Sequence, residues 1–124
     1  KDITRAQVDA LCACQAGDGM WHTILDDPAS YKESSATAAF AYGMLKGVRL
    51  GFLPAQYEAP ALRAVQAVLA RVDAAGIVGG VSYGTPVGND AQFYKDIPVC
   101  PMTYGQAMAI LMLAEALYHT GEDA

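Results

Sequence analysis

Two segments of the sequence, residues 35–50 and 103–119, have the length of ordinary helices but are apolar or small on nearly every side. The first has no charged residue before Lys46, and the second is dominated by Met, Ile, Leu and Ala. A helix without a polar face has to be surrounded by other protein. Neither segment has the roughly 18 uncharged residues that a membrane-spanning helix needs. The sequence therefore predicts two inner helices of a larger helical assembly.

Two further segments, residues 3–15 and 54–75, are amphipathic and are predicted to be outer helices. In the second of these, the apolar side chains form one stripe, which consists of Leu62, Val65, Leu69 and Val72. Pro60 is expected in the first turn of its helix, where the missing N–H has no partner to lose.

The connections between these helices alternate between long and short. Residues 16–34 and 76–102 form long connections, whereas only residues 51–53 separate the second and third helices. Long loops in compact helical proteins usually carry function. Because successive helices run antiparallel, we expect both long loops at the end where the inner helices begin.

The two halves of the chain also repeat faintly. Each long loop begins with a glycine and a short extended piece, then contains a Tyr-Lys pair, and ends at a hydroxyl residue that opens an inner helix. The corresponding residues are Tyr31-Lys32 and Tyr94-Lys95, followed by Ser35 and Thr103. Repeated helical hairpins are typical of an α/α toroid. Two hairpins do not close a ring, so we expect residues 1–124 to be an all-α partial ring, the C-terminal part of a larger toroid.

The charge and cysteine content narrow the partners and the setting. A formal net charge of −5 argues against nucleic acid and against anionic membranes as partners. Cys12 and Cys14 are too close on a predicted helix to point in the same direction and bridge. With Cys100 they form an odd and sparse set, which indicates neither a disulfide framework nor a zinc site. A reducing, cytoplasmic setting fits best.

Two stretches of the chain resemble a known family. They are GMWHTILDDPASYKESSATAAFAYGMLKGVRLGFL, residues 19–53, and GVSYGTPVGNDAQFYKDIPVCPMTYGQAMAILMLAE, residues 80–115. Both are similar to the C-terminal half of the unsaturated glucuronyl and rhamnogalacturonyl hydrolases, glycoside hydrolase families 88 and 105. Those families share a Gly-Leu-Trp loop, a hydrophobic-Asp-x-Pro-x-Ser-Tyr turn and a Glu-Thr-Ser-Ala stretch that opens a helix. Here the last becomes Glu33-Ser34-Ser35-Ala36, a mild departure.

The resemblance implies a six-hairpin toroid that removes the unsaturated uronic acid from oligosaccharides made by polysaccharide lyases. In that family a carboxylic acid protonates the C4–C5 double bond, water adds at C5, and the hemiketal collapses to release the sugar. No metal and no organic cofactor are implied. The family's catalytic aspartate lies in the N-terminal half, which is the implied partner of this chain. No segment here matches its surroundings, so neither Asp26 nor Asp27 is assigned that role.

Trp21 and His22, in the first long loop, are candidate substrate-binding residues. An indole face suits the C–H face of a pyranose ring, and an imidazole can hydrogen-bond a sugar hydroxyl or a carboxylate. The alternatives are that Trp21 fastens the loop to the helices and that His22 bonds to loop backbone. A lone histidine without a second ligand at suitable spacing does not indicate a metal site.

A second group of candidate substrate-binding residues lies where the inner helices begin. These residues are Glu33, Ser34, Ser35, Thr103 and Tyr104. Hydroxyls and exposed N–H groups at a helix start are suited to a uronate carboxylate. The structural alternative is capping, with Ser34 or Ser35 as the N-cap and Thr103 in the equivalent place.

Other polar residues of the loops are interpreted as structural. Asp26-Asp27-Pro28 forms a turn, since aspartate before proline bonds its own backbone. Tyr31 and Tyr94 are packing residues with a bonded hydroxyl. Residues 84–89, GTPVGN, lack the lysine of a phosphate loop and are interpreted as a lid.

Two other functions stay open from the residues alone. Toroids carry other sugar chemistries, such as epimerases and different glycosidases, because a fold does not fix a function. The chain also has the composition of a non-catalytic helical domain that binds carbohydrate or a partner through its apolar faces.

Overall fold

The computed structural model describes residues 2–121 and shows an all-α chain. The helices are α1 (Asp2–Cys14), α2 (Ser34–Arg49), α3 (Glu58–Leu69), α4 (Ala91–Lys95) and α5 (Thr103–Ala116). Short 3-10 turns, Ala55–Tyr57 and Leu117–His119, precede α3 and follow α5. Extended pairing within residues 2–121 is limited to isolated bridges. None of the described helices is long and apolar enough to cross a membrane.

Helix α2 is the centre of the packing and contacts both α3 and α5. Its buried residues are mostly small and comprise Ser34, Thr37, Ala38, Ala41, Met44 and Leu45. Small side chains allow neighbouring helix axes to approach closely. The predicted all-α arrangement of two hairpins is therefore confirmed, with α2 and α5 as its inner helices.

Helix α5 is apolar on its buried and exposed sides alike. Ala109 and Met112 face the core, whereas Ile110 and Leu111 are exposed, Ile110 by 60%, as is Leu117 in the turn that follows. Exposed apolar side chains on an inner helix are what one arc of an α/α toroid should show, since its neighbours in the ring would cover them.

The third helix is shorter than predicted, and its buried face coincides with the predicted stripe only in part. It begins at Glu58, with Pro60 in its first turn as expected, but it ends at Leu69 rather than Ala75. Beyond the helix, the Asp73 carboxylate accepts the backbone N–H groups of Ala75 and Ile77, so residues 73–77 form a turn and not a continuation of the helix. The predicted stripe is confirmed only in part: Val65 is buried and Leu62 and Val72 pack against the core, but the other buried residues of the helix are Ala61, Ala64, Ala67 and Val68. Leu69, placed in the stripe, is 40% exposed.

The two long loops are closed by equivalent backbone pairs, which confirms the repeat in part. In the first loop Thr23 N–H donates to Tyr31 O and Glu33 N–H donates to Trp21 O; in the second, Tyr83 N–H donates to Pro98 O and Cys100 N–H to Val81 O. The bridges are therefore His22 with Lys32 and Ser82 with Val99. The Tyr-Lys pairs are not equivalent, however, because Tyr94 and Lys95 belong to the unpredicted helix α4.

Trp21 fastens the first long loop to the helices. Its indole is fully buried and meets the Phe40 ring edge-on, with centroids 5.4 Å apart. The indole N–H donates to the carbonyl oxygen of Leu11 at 2.7 Å, and the backbone N–H donates to Thr37 Oγ1 at 3.0 Å. Just before it, Gly19 (φ 94°) lies so close to α3 that a Cβ would come within 2.6 Å of the Arg63 carbonyl oxygen.

The far end of the bundle is held by a charge pair between the inner helices. Arg49, at the end of α2, donates from Nε and Nη2 to the two carboxylate oxygens of Glu115 on α5, at 2.5 and 3.1 Å. The Glu115 side chain is only 5% exposed. The hydrogen bond from Arg49 lowers the pKa of Glu115, against the opposing effect of burial. His119 Nε2 lies 3.8 Å from the same carboxylate.

Replacing Trp21 by Phe should destabilise the protein by about 2 kcal/mol, because it removes buried ring atoms and leaves the Leu11 carbonyl without its donor. Urea unfolding followed by circular dichroism measures this. Tyr83→Phe, at a side chain that is 64% exposed, is the matched control and should change little. Equal midpoints for the two variants would show that the indole does not anchor the loop.

Glu115 should make stability depend on pH on the acid side. Its pKa is lower in the folded than in the unfolded state, so its contribution is complete above the unfolded value and is lost as the pH falls through the folded value. Glu115→Gln should therefore be less stable than the parent protein near about pH 6, and the difference should shrink toward about pH 3. Urea midpoints across that range test this, and a difference independent of pH would contradict it.

Candidate functional site

A cleft of about 440 Å³ opens where α2 and α5 begin, between the two long loops. Its walls come from both loops and both helix starts, as expected from the antiparallel order of the helices. The residues that line it are Thr23, Glu33, Ser35, Ala36, Ser82, Gly84, Thr85 and Tyr104. Three of the predicted substrate-binding residues are therefore brought together here: Glu33, Ser35 and Tyr104.

Glu33, rather than either serine, caps α2. Its side chain accepts the backbone N–H of Ala36 at 2.6 Å and the hydroxyl of Ser35 at 2.7 and 2.9 Å. The predicted cap at Ser34 or Ser35 is wrong, and the physical reason is reach. Glutamate is longer than the usual capping residues, so the same carboxylate also accepts the backbone N–H of Ser82 in the second loop, at 3.0 Å.

The start of α5 differs from the start of α2. The N-cap residue is Met102, which makes no side-chain cap, and the helix begins at Thr103. The predicted capping role of Thr103 is therefore wrong as well. Thr103 is exposed and does not line the cleft, whereas Tyr104, its neighbour, does.

Ser82 is the residue that the sequence did not point to and that holds the cleft together. Its backbone N–H donates to Glu33, its carbonyl oxygen accepts the hydroxyl of Tyr104, and its side-chain oxygen lies 2.6 Å from the hydroxyl of Tyr31. Two of these three links use backbone atoms, which leave no signature in residue types. The predicted role of Tyr31 as a packing residue with a bonded hydroxyl is confirmed.

Tyr104 keeps its hydroxyl proton in this setting. Burial raises the pKa of Tyr104 above its usual range, and the negative charge of Glu33 adds to the rise. The phenol is therefore a hydrogen-bond donor, and its proton is directed at the carbonyl oxygen of Ser82.

The remaining candidates lie beside the cleft rather than on its lining. Ser34 is fully buried and donates its hydroxyl to the carbonyl oxygen of Gly79 at 2.7 Å. His22 donates from Nδ1 to the carbonyl oxygen of Ser30 at 2.6 Å, which is the loop-backbone alternative for that residue. Trp21 is fully buried and offers no ring face to a ligand. Adding further protein can only reduce exposure, so the geometry favours the loop-fastening alternative for Trp21.

The structural interpretation of the aspartates is confirmed for Asp27. Its carboxylate accepts the backbone N–H of Ala29 at 2.9 Å, two residues on, and so forms the predicted turn. It also pairs with Lys95 of α4 at 2.7 Å, and this hydrogen bond lowers the pKa of Asp27. The ion pair ties the two long loops together outside the cleft.

Chemically, the cleft offers oxygen atoms and backbone rather than a reactive centre. Glu33 is the carboxylate among its lining residues, and it already accepts hydrogen bonds from three groups. A carboxylate held in this way is suited to fix geometry, whereas a general acid needs a proton to give and a free path to the substrate.

Comparison with known proteins places the chain in a family of glycoside hydrolases. Residues 1–120 match the model of Glycosyl Hydrolase Family 88. Over 114 residues the chain is 38% identical to the unsaturated rhamnogalacturonyl hydrolase YesR of Bacillus subtilis strain 168. The aligned region is 91% of this chain and 31% of YesR.

Solved structures give the same assignment. A possible member of the GH105 family from Salmonella enterica serovar Paratyphi A is 45% identical, with a TM-score of 0.93 over 95% of this chain and 31% of that one. A possible GH105 member from Klebsiella pneumoniae is 47% identical, with a TM-score of 0.89 over 92% and 30% of the two chains. The chain spans about a third of the length of these relatives. It belongs to glycosyl hydrolase family 88.

Proposed function

We propose that the complete protein removes the 4,5-unsaturated uronic acid from oligosaccharides produced by polysaccharide lyases. The observation that carries the proposal is family membership over residues 1–120, with a relative whose name states unsaturated rhamnogalacturonyl hydrolase. The cleft between the two long loops supports it, because hydroxyls at an open site of about 440 Å³ suit a sugar.

In this proposal the chain supplies the C-terminal part of an α/α toroid and one wall of its substrate site. The N-terminal part of the toroid supplies the catalytic acid, which protonates the double bond at C4, and water then adds at C5. Neither Asp26 nor Asp27 takes that role, and Asp27 is already engaged with Ala29 and Lys95. We further propose that the complete protein is cytoplasmic and that its reaction uses no metal and no organic cofactor.

The residues of the wall act by positioning. Ser35 and Tyr104 place hydroxyl oxygens at the mouth of the cleft, and Glu33 fixes both, directly or through Ser82. Substrate held in one orientation gains rate because the reacting atoms no longer have to find each other.

The activity itself is tested with the complete protein and a panel of unsaturated uronyl disaccharides. Hydration removes the conjugated double bond, so its ultraviolet absorbance should disappear as free sugar is released. No loss of absorbance with any member of the panel would refute the proposed function.

Tyr104→Phe should raise KM for an accepted disaccharide by about five-fold, because it removes one hydroxyl oxygen from the lining of the cleft. Tyr31→Phe is the matched control: it also deletes a hydroxyl bonded to Ser82, but Tyr31 does not line the cleft. Equal KM changes for the two variants would return Tyr104 to a purely structural role.

A further inference from the structure

The hydroxyl protons at the cleft are committed to the protein and point away from a ligand. Ser35 donates to the Glu33 carboxylate, and Tyr104 donates to the Ser82 carbonyl oxygen. Both acceptors are oxygens without a hydrogen, so chemistry fixes the direction of each bond. Because a hydroxyl has one proton, Ser35 and Tyr104 have only lone pairs left for a ligand.

Two backbone N–H groups beside the cleft are committed in the same way. The Ala36 N–H, which would otherwise attract an anion at this helix terminus, donates to Glu33, and so does the Ser82 N–H. Glu33 thus occupies the place that a ligand's carboxylate would take, and it brings a negative charge with it.

No positive side chain offsets that charge at the wall. The residues that line the cleft, within the described part of the chain, include no lysine, arginine or histidine. The hydroxyls of Thr23 and Thr85 also line it, but a hydroxyl rotates to donate or accept. The lining side chains whose hydrogen bonds have a fixed direction, Ser35, Tyr104 and Glu33, therefore present acceptors to the cleft.

We propose that this wall binds the hydroxyl donors of a neutral sugar ring and discriminates against carboxylate- or sulfate-bearing groups. The inference rests on the proposed function, in which a uronic acid is joined to a second sugar. The wall then receives the hydroxyls of an uncharged part of the substrate, and the uronate carboxylate binds elsewhere in the complete protein. This replaces the expectation that the start of α2 receives the carboxylate.

The test measures binding without turnover. The complete protein is titrated by saturation-transfer NMR with N-acetylglucosamine and with its 6-O-sulfate, neither of which has a double bond to hydrate. We expect the neutral sugar to bind at least about ten-fold more tightly, since an anion beside Glu33 meets a like charge. Equal or tighter binding of the sulfated sugar, or no binding of the neutral one, would overturn the proposal.

Glu33→Gln tests whether the charge is the cause. The glutamine amide oxygen can still accept from Ala36, so the cap is retained while the negative charge is lost. The neutral-to-sulfated preference should fall by about ten-fold, and an unchanged preference would contradict the assignment.

If Glu33→Gln does not fold, Ser35→Ala carries the test. It keeps the charge and removes one acceptor, so binding of the neutral sugar should weaken by about five-fold. Thr4→Ala, on the exposed side of α1, should leave binding unchanged, and an unaltered affinity in Ser35→Ala would overturn the role of that hydroxyl. These affinities are measured without hydrolysis, so they are independent of the absorbance assay. A failure of the absorbance assay would refute the proposed reaction but not the proposed binding preference.

Discussion

The buried carboxylate of Glu33 is the interaction on which the functional end of the molecule depends. It is 4% exposed and joins two pieces of chain through three donors: the Ala36 N–H and the Ser35 hydroxyl at the start of α2, and the Ser82 N–H of the second long loop. A buried carboxylate is costly unless donors surround it. Its three donors meet that condition and at the same time fix the spacing of the two loops.

Helix α2 follows the acidic Glu33 and has no charged residue before its last turn, which contains Lys46 and Arg49. Glu33 lies at the positive end of the helix dipole, and Arg49 lies at the negative end, where it meets Glu115. An inner helix that must be apolar along its length can place charge only where it terminates. The same rule explains why the polar networks lie at the two ends of the bundle, with the cleft at one and the Arg49 pair at the other.

Patterns that extend over many residues predicted the fold well, whereas single polar contacts escaped prediction. The apolar runs of 35–50 and 103–119 identified both inner helices within a residue of their observed starts. The end of α3 was missed because the apolar spacing of a helix continues to Val72, whereas the helix ends at Leu69 and the Asp73 carboxylate forms a turn with Ala75 and Ile77. Glu33 was named as a site residue, but its bond to Ser82 could not be predicted, because Ser82 lies far along the chain and donates from its backbone.

The placement of Trp21 and Ser82 shows why residue type alone could not settle the site. A Trp-His pair beside glycines has the same sequence pattern whether its side chains face a sugar or the core. The contacts of Trp21 with Leu11 and Phe40 show that this indole faces the core. Ser82 contributes mainly through backbone atoms, which every residue possesses. In one arc of a ring, a buried residue is also better defined than an exposed one. Further hairpins of the toroid can cover a surface that is exposed here, but they cannot expose a residue that is already buried. The hydrogen bonds of Glu33 and Trp21 therefore belong to the complete protein, whereas the open side of the cleft is where its remaining wall would lie.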